Sequence, residues 1–210
     1  DSDYLAARKA VRGRGTGELA KGRFEAAETL YAEEEARQVE TEVMRDTSRT
    51  IIAYNDSPDV GFSASLNPYR GCEHGCIYCY ARPGHEYFGL SAGLDFETKL
   101  FAKYDAAALL AKELMKPSWV PQPIGMSGVT DCYQPVEREL KITRGCLEVL
   151  ARFRNPVVVI TKNHLVTRDI DLLRELAQFQ AVHVVLSITT LDSELSRKME
   201  PRASQPLMRL

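Results

Sequence analysis

The chain has 210 residues, 44% hydrophobic and 27% charged, the balance of an ordinary globular protein of one domain plus an appendage. Its formal net charge of −2 gives no global pull toward nucleic acid or anionic membrane, and no apolar run approaches the length that crosses a bilayer. Five cysteines, three of them clustered within residues 72–79, are too few and too uneven for a secreted disulfide scaffold and point to a reducing cytoplasm.

The chain begins Asp1-Ser2-Asp3-Tyr4, with neither a signal segment nor an initiator Met, as a processed or trimmed chain would. Residues 1–50 read as an N-terminal extension, helical or mobile. Arg8, Lys9, Arg12, Arg14, Lys21 and Arg23 surround Arg12-Gly13-Arg14-Gly15, and an acidic, helix-favouring stretch follows from Glu25 to Glu42. A solvated tail and a nucleic-acid-binding arm are the two readings of that basic run.

Residues 51–210 read as alternating strands and helices. Val60–Leu66 forms a first strand, Thr98–Ala102 a second and Ile124–Val129 a third. Val157–Ile160 is a fourth, apolar throughout as a strand buried on both faces would be. Val182–Ile188 is a fifth. Between them, Asp105–Met115 places Leu109, Leu110 and Leu114 on one helical face. Residues 137–153 place Cys146, Leu147, Leu150 and Phe153 likewise. Asp169 is the expected N-cap of a helix burying Leu172, Leu173 and Leu176, and Asp192–Met199 closes the series. The repetition predicts an α/β fold with a parallel sheet, open or curved into a barrel, stopping short of a closing element.

The strongest signal is Asn67-Pro68-Tyr69-Arg70-Gly71-Cys72-Glu73-His74-Gly75-Cys76-Ile77-Tyr78-Cys79-Tyr80. Three thiolates on one tight loop can each reach a different iron of a [4Fe–4S] cube, with Gly71 and Gly75 supplying the left-handed backbone that such wrapping needs. A missing fourth cysteine leaves one iron open to a ligand, the mark of a catalytic rather than a structural metal site. The alternative is a structural zinc held by Cys72, Cys76, Cys79 and either His74 or Cys132, in a nucleic-acid-binding module without such chemistry.

The spacing of these cysteines, with Tyr78 before the last, resembles the radical S-adenosylmethionine (SAM) superfamily. Longer runs resemble its spore photoproduct lyase-like branch: residues 67–82, 93–103 and 130–137, together with Ile160-Thr161-Lys162, Leu186-Ser187-Ile188-Thr189 and Glu200-Pro201-Arg202. The resemblance implies a partial (β/α) barrel, truncated at its C-terminus. It implies an enzyme that reductively cleaves SAM at a cluster on Cys72, Cys76 and Cys79 to a 5′-deoxyadenosyl radical. It also implies SAM contacts from Tyr78, Thr130, Asp131, Lys162 and Ser187, a flavodoxin- or ferredoxin-type electron donor, and damaged DNA as one candidate substrate. Two departures stand out. Phe96-Glu97-Thr98-Lys99 is not the Gly-Gly-Glu-like motif of many members, and Gly128 occupies the place of the lyase's hydrogen-donating cysteine. Cys132 is the nearest replacement and the one catalytic candidate.

The remaining reactive residues take plainer readings. Cys146 is a buried inert thiol; His74 either lines the cysteine loop or is exposed to solvent, exposure being the plainer reading, and Tyr80 reads as a packing residue rather than a radical relay. Lys99 and Lys103 are solvated at a strand edge, and His183 is structural.

Overall fold

Val157–Thr161 (β7) is the spine of the fold. Its β-branched run pairs in parallel with Ile124–Met126 (β6) on one side and Val182–Leu186 (β8) on the other. These strands belong to a five-stranded sheet of order β2-β3-β6-β7-β8, in which Ala64–Leu66 (β3) is parallel to β6 and Ile52–Tyr54 (β2) is antiparallel to β3. The computed structural model describes residues 11, 13–17 and 39–210. Most of the basic and acidic residues of the N-terminal extension lie outside that range.

A second, three-stranded sheet orders Glu42–Arg45 (β1), Lys99–Ala102 (β5) and Tyr69–Arg70 (β4), with β5 central, parallel to β1 and antiparallel to β4. The α/β reading holds, but the sheets are mixed rather than purely parallel. The predicted strand at 98–102 lies outside the main sheet, and residues 42–45 of the extension supply a strand that no periodicity in the sequence announces.

The short helix Leu94–Thr98 (α1) leads into β5, and longer helices cover the main sheet. Ala106–Leu114 (α2) and Ile142–Phe153 (α4) pack on each other, and Ile170–Ala177 (α5) packs on α4. Their inward faces bury Leu110, Leu147, Leu150 and Leu176 against Ile124, Met126 and Val159. Each such side chain contributes about 1.5–3 kcal/mol. Cys146 lies in this core as expected, and so does Cys132.

The predicted helix over 137–153 is instead two, Glu137–Leu140 (α3) and α4, broken at Lys141, whose φ is 53°. The break lets Glu137 turn back as a cap. Its carboxylate accepts the Thr143 and Arg144 backbone N–H groups at the start of α4 and pairs with Arg168. Asp169 precedes α5 but does not cap it; its carboxylate is taken by Arg144, Arg168 and Tyr133. Asp192 does cap the last helix, Ser193–Met199 (α6), accepting from the Glu194 and Leu195 N–H groups. His183 is in β8 but exposed, whereas Lys103 is buried, and burial lowers its pKa.

Candidate cofactor-binding site

The C-terminal ends of parallel strands leave backbone groups unpaired, and α/β folds build their sites there. Here β6 runs into Ser127–Asp131, β7 into Lys162 and β8 into Ser187, and these segments line a cavity of about 510 Å³. Cys72, His74, Cys76, Cys79 and Tyr80 of the cysteine loop line it too, and residues 59–62 complete the wall. The cavity thus gathers the three cysteines with Thr130, Asp131, Lys162 and Ser187. Tyr78 stands beside it. Cys132 does not line it; the thiol is fully buried in the core, with its N–H on Ser127 Oγ and its carbonyl accepting from Thr143.

The cysteine loop takes its shape from the glycines that the sequence singles out. Gly71 has φ 77° and Gly75 has φ 65°, left-handed conformations that a side chain would resist. Gln134 clamps the loop from behind, accepting the Glu73 N–H at 2.9 Å and donating to the Gly71 carbonyl at 3.2 Å. The Cys72 N–H is fixed on the Phe96 carbonyl and the Ile77 N–H on the Met199 carbonyl. Burial raises the Cys72 thiol well above its ordinary pKa, with the nearby Asp131 charge adding to it. Burial, with Glu200 nearby, pushes Cys76 up to about 12. Such thiols ionise when they bind a cation, because a coordinating metal deprotonates its thiol outright. Three soft donors on one cavity wall, on a loop bent through two glycines, fit an iron–sulfur cluster. Among the described residues, no three His, Cys, Asp or Glu side chains converge on a single-ion site.

Asp131 is a hub. It accepts from Thr161 Oγ1 at 2.7 Å, the Lys162 N–H at 2.8 Å and the Tyr133 N–H at 2.8 Å, and lies 3.3 Å from His74 Nδ1. Burial alone would raise its pKa, but His74 and these hydrogen bonds more than offset that and hold it below the usual carboxylate range. His74 is itself buried, 1% exposed, with Asn163 3.2 Å from its other ring nitrogen. The sequence reading of an exposed His74 fails because its partners come from the ends of β6 and β7. Its place between two loop cysteines was the available signal.

Lys162 Nζ donates to Ser187 Oγ at 3.1 Å and lies 5.9 Å from the Tyr78 ring centroid. An ammonium has three donors, so others remain for a ligand carboxylate. The Tyr78 hydroxyl bonds Glu200 and is 3.1 Å from Thr189 Oγ1. Glu200 also pairs with Arg209 at 2.7 Å, and Arg209 reaches on to the Ser187 carbonyl at 2.8 Å. Glu200 and Arg209, neither of them expected from the sequence as site residues, tie Tyr78 and Ser187 together. Thr130 Oγ1 is directed at the Tyr69 carbonyl, 2.8 Å away.

A mixed α/β fold with a cysteine-lined cavity at its strand ends defines a class: the Radical SAM superfamily profile matches residues 66–206, and the chain belongs to that superfamily. Membership implies a [4Fe–4S] cluster and SAM as cofactors. An uncharacterized protein of Mycobacterium tuberculosis (strain ATCC 25618 / H37Rv) is 39% identical over 149 residues, 71% of this chain and 44% of that protein. An uncharacterized protein of Methanocaldococcus jannaschii is 30% identical over 139 residues, 65% of this chain and 48% of that protein. The chain therefore spans less than half the length of these relatives. Among solved structures, a spore photoproduct lyase variant with bound AdoMet and dinucleoside spore photoproduct superposes with a TM-score of 0.55 at 16% identity. The match covers 80% of this chain and 44% of that one, and it establishes the shared fold. No helix among the described residues is long and apolar enough to cross a membrane.

Proposed function

We propose that this chain carries the cluster- and SAM-binding part of an enzyme that cleaves SAM reductively and uses the resulting radical to take hydrogen from a substrate. One observation carries the reading: Cys72, Cys76 and Cys79 share a cavity with Lys162 and Ser187. When bound, the cluster supplies the electron that splits SAM into methionine and a 5′-deoxyadenosyl radical. The protein's own groups do the rest. The three thiolates hold the cluster and leave it open for a ligand. Lys162 meets the SAM carboxylate or ribose, Ser187 the ribose, and Tyr78 the adenine. Thr130 and Asp131 shape the intervening wall. A small flavodoxin- or ferredoxin-type protein delivers the electron.

For the substrate, a damaged DNA base is the first candidate, because the fold is shared with spore photoproduct lyase. Fold likeness alone is weak warrant for chemistry, and the core position of Cys132 argues against hydrogen donation by that thiol. The test is anaerobic reconstitution of the chain with iron and sulfide, followed by dithionite and SAM. Release of 5′-deoxyadenosine is the expected result. A colourless protein that binds zinc and leaves SAM intact would favour the structural-zinc reading.

A further inference from the structure

The Arg14-Gly15 step of the N-terminal extension reaches the cysteine loop by three routes. Gly15 touches it directly: a Cβ built on Gly15 would lie 1.7 Å from the Gly75 carbonyl oxygen, so only glycine permits this approach. The second route runs through Glu97, a fully buried carboxylate. Its Oε2 accepts the Gly15 N–H at 2.8 Å, and its Oε1 pairs at 2.6 Å with Arg82. Arg82 in turn donates twice to the Cys76 carbonyl, at 3.0 and 2.9 Å. The third route runs through Thr41. Arg14 Nη2 donates to Thr41 Oγ1 at 2.8 Å, and that hydroxyl donates to Glu73 Oε1 at 2.6 Å. Arg14 also fixes the Glu97 carbonyl at 2.7 Å and the Val39 carbonyl at 3.1 Å.

We propose that Arg14 and Gly15 are positioning residues for the cysteine loop, clamping Glu73, Gly75 and Cys76 so that the thiols hold the geometry the cluster requires. This rests on the reading of that loop as the cluster's binding loop. It gives the Arg-Gly motif a role that is neither a solvated tail nor a nucleic-acid arm. Arginine suits the place because its fork bonds three acceptors at once, which a lysine ammonium on a flexible stem does not hold in fixed directions. Glycine suits it because the loop backbone occupies the space of a side chain.

The test compares the full chain with its Gly15→Val, Arg14→Gln and Arg14→Lys variants. In the apo protein, iodoacetamide labelling of each cysteine is followed by peptide mass spectrometry. Gly15→Val is expected to label Cys76 and Cys79 several-fold faster than the parent, with the core thiols Cys132 and Cys146 unchanged. Those two thiols report general unfolding, so a variant that merely misfolds speeds all of them; Arg14→Gln, which adds no bulk, then decides the matter on the same readout. In reconstituted protein, Gly15→Val is expected to lose iron to a ferrous chelator about tenfold faster, the scale seen when groups supporting metal ligands are removed. The electron paramagnetic resonance g-values of the reduced cluster should shift. Arg14→Lys should fall between parent and Arg14→Gln.

Parental labelling rates in both Gly15→Val and Arg14→Gln would overturn the proposal. So would altered labelling with an unchanged resonance spectrum and unchanged iron loss. If the parent takes up no cluster at all, the cofactor reading fails, and the labelling arm still decides whether the clamp exists.

Discussion

Replacing Arg209 by methionine isolates one buried carboxylate. Glu200 and Arg209 side chains are each 1% exposed and meet at 2.7 Å. Methionine keeps most of the stem's volume and removes the charge, so Glu200 is left with the Thr189 and Tyr78 hydroxyls alone. Breaking a buried pair from one side costs about 3–5 kcal/mol. Taking the lower figure, because two hydroxyl donors remain, the melting temperature should fall by about 6–12 °C for a chain of this size. The pH dependence gives a sharper check. Burial alone would raise the Glu200 pKa, but the hydrogen bonds from Thr189, Tyr78 and Arg209 hold it below the usual range. In the parent, therefore, this group stabilises the fold above the unfolded carboxylate pKa, and that contribution is lost as pH falls through the lower folded value. In the variant the carboxyl loses its cation and is destabilising while ionised, a penalty relieved by protonation. The stability gap should be widest near neutral pH and narrow as pH falls through the unfolded carboxylate value of about 4.3 and on through the lower folded one, leaving a pH-independent remainder from the Ser187 and Ser204 carbonyls that Arg209 no longer bonds. Urea unfolding of the apo chain across that range measures it. A gap that stays constant with pH, or a melting temperature within about 2 °C of the parent, would refute the reasoning.

Cys76→Ala should abolish cluster assembly, read as iron and sulfide content, while far-UV circular dichroism shows the helices largely formed. Lys162→Met should leave iron content at the parent level and weaken SAM binding about tenfold or more, the loss of roughly 1.4 kcal/mol or more expected for a charged contact; equilibrium dialysis of the reconstituted protein measures it. Lys141→Gly should stabilise the apo chain by about 1 kcal/mol in urea unfolding, because Lys141 is exposed and sits at φ 53°. Arg154, at φ 52° on the other end of α4, is a poorer target, since its guanidinium lies 4.1 Å from the Phe179 ring centroid.

Features fixed by near neighbours were legible in the sequence. The cysteine loop was, because its spacing and its two left-handed glycines are local properties. β7 was, because four consecutive apolar residues bounded by Asn155-Pro156 and polar positions admit few other readings. Features fixed by distant partners were not. β1 exists because residues 42–45 find an edge at 99–102, and nothing within those four residues announces it. His74 is buried by Asp131 and Asn163, which reach it only when β6 and β7 align. The break at Lys141 escaped because it carries no glycine or proline; the gain that favours it is the capping of α4 by Glu137 and the pairing of that carboxylate with Arg168. Thr130, Asp131, Lys162 and Ser187 were placed by resemblance, and they do gather at one cavity. What composition alone could not reveal is that the Asp131 carboxylate is committed to donors from the protein itself.

That commitment gives the cavity two walls of different character. On one side, Asp131, His74, Thr161 and Asn163 hold one another through bonds made on folding, so the entropy of ordering that wall is settled before a ligand arrives. On the other, residues 56–61 are exposed, and Phe62 anchors their end by packing its ring against Gly125. Substitutions at Asp59 or Val60 disturb little of the fold while changing what a guest molecule meets. The first wall is thus tied to the ends of β6 and β7, whereas the second presents exposed side chains that can be exchanged without unmaking a contact of the core.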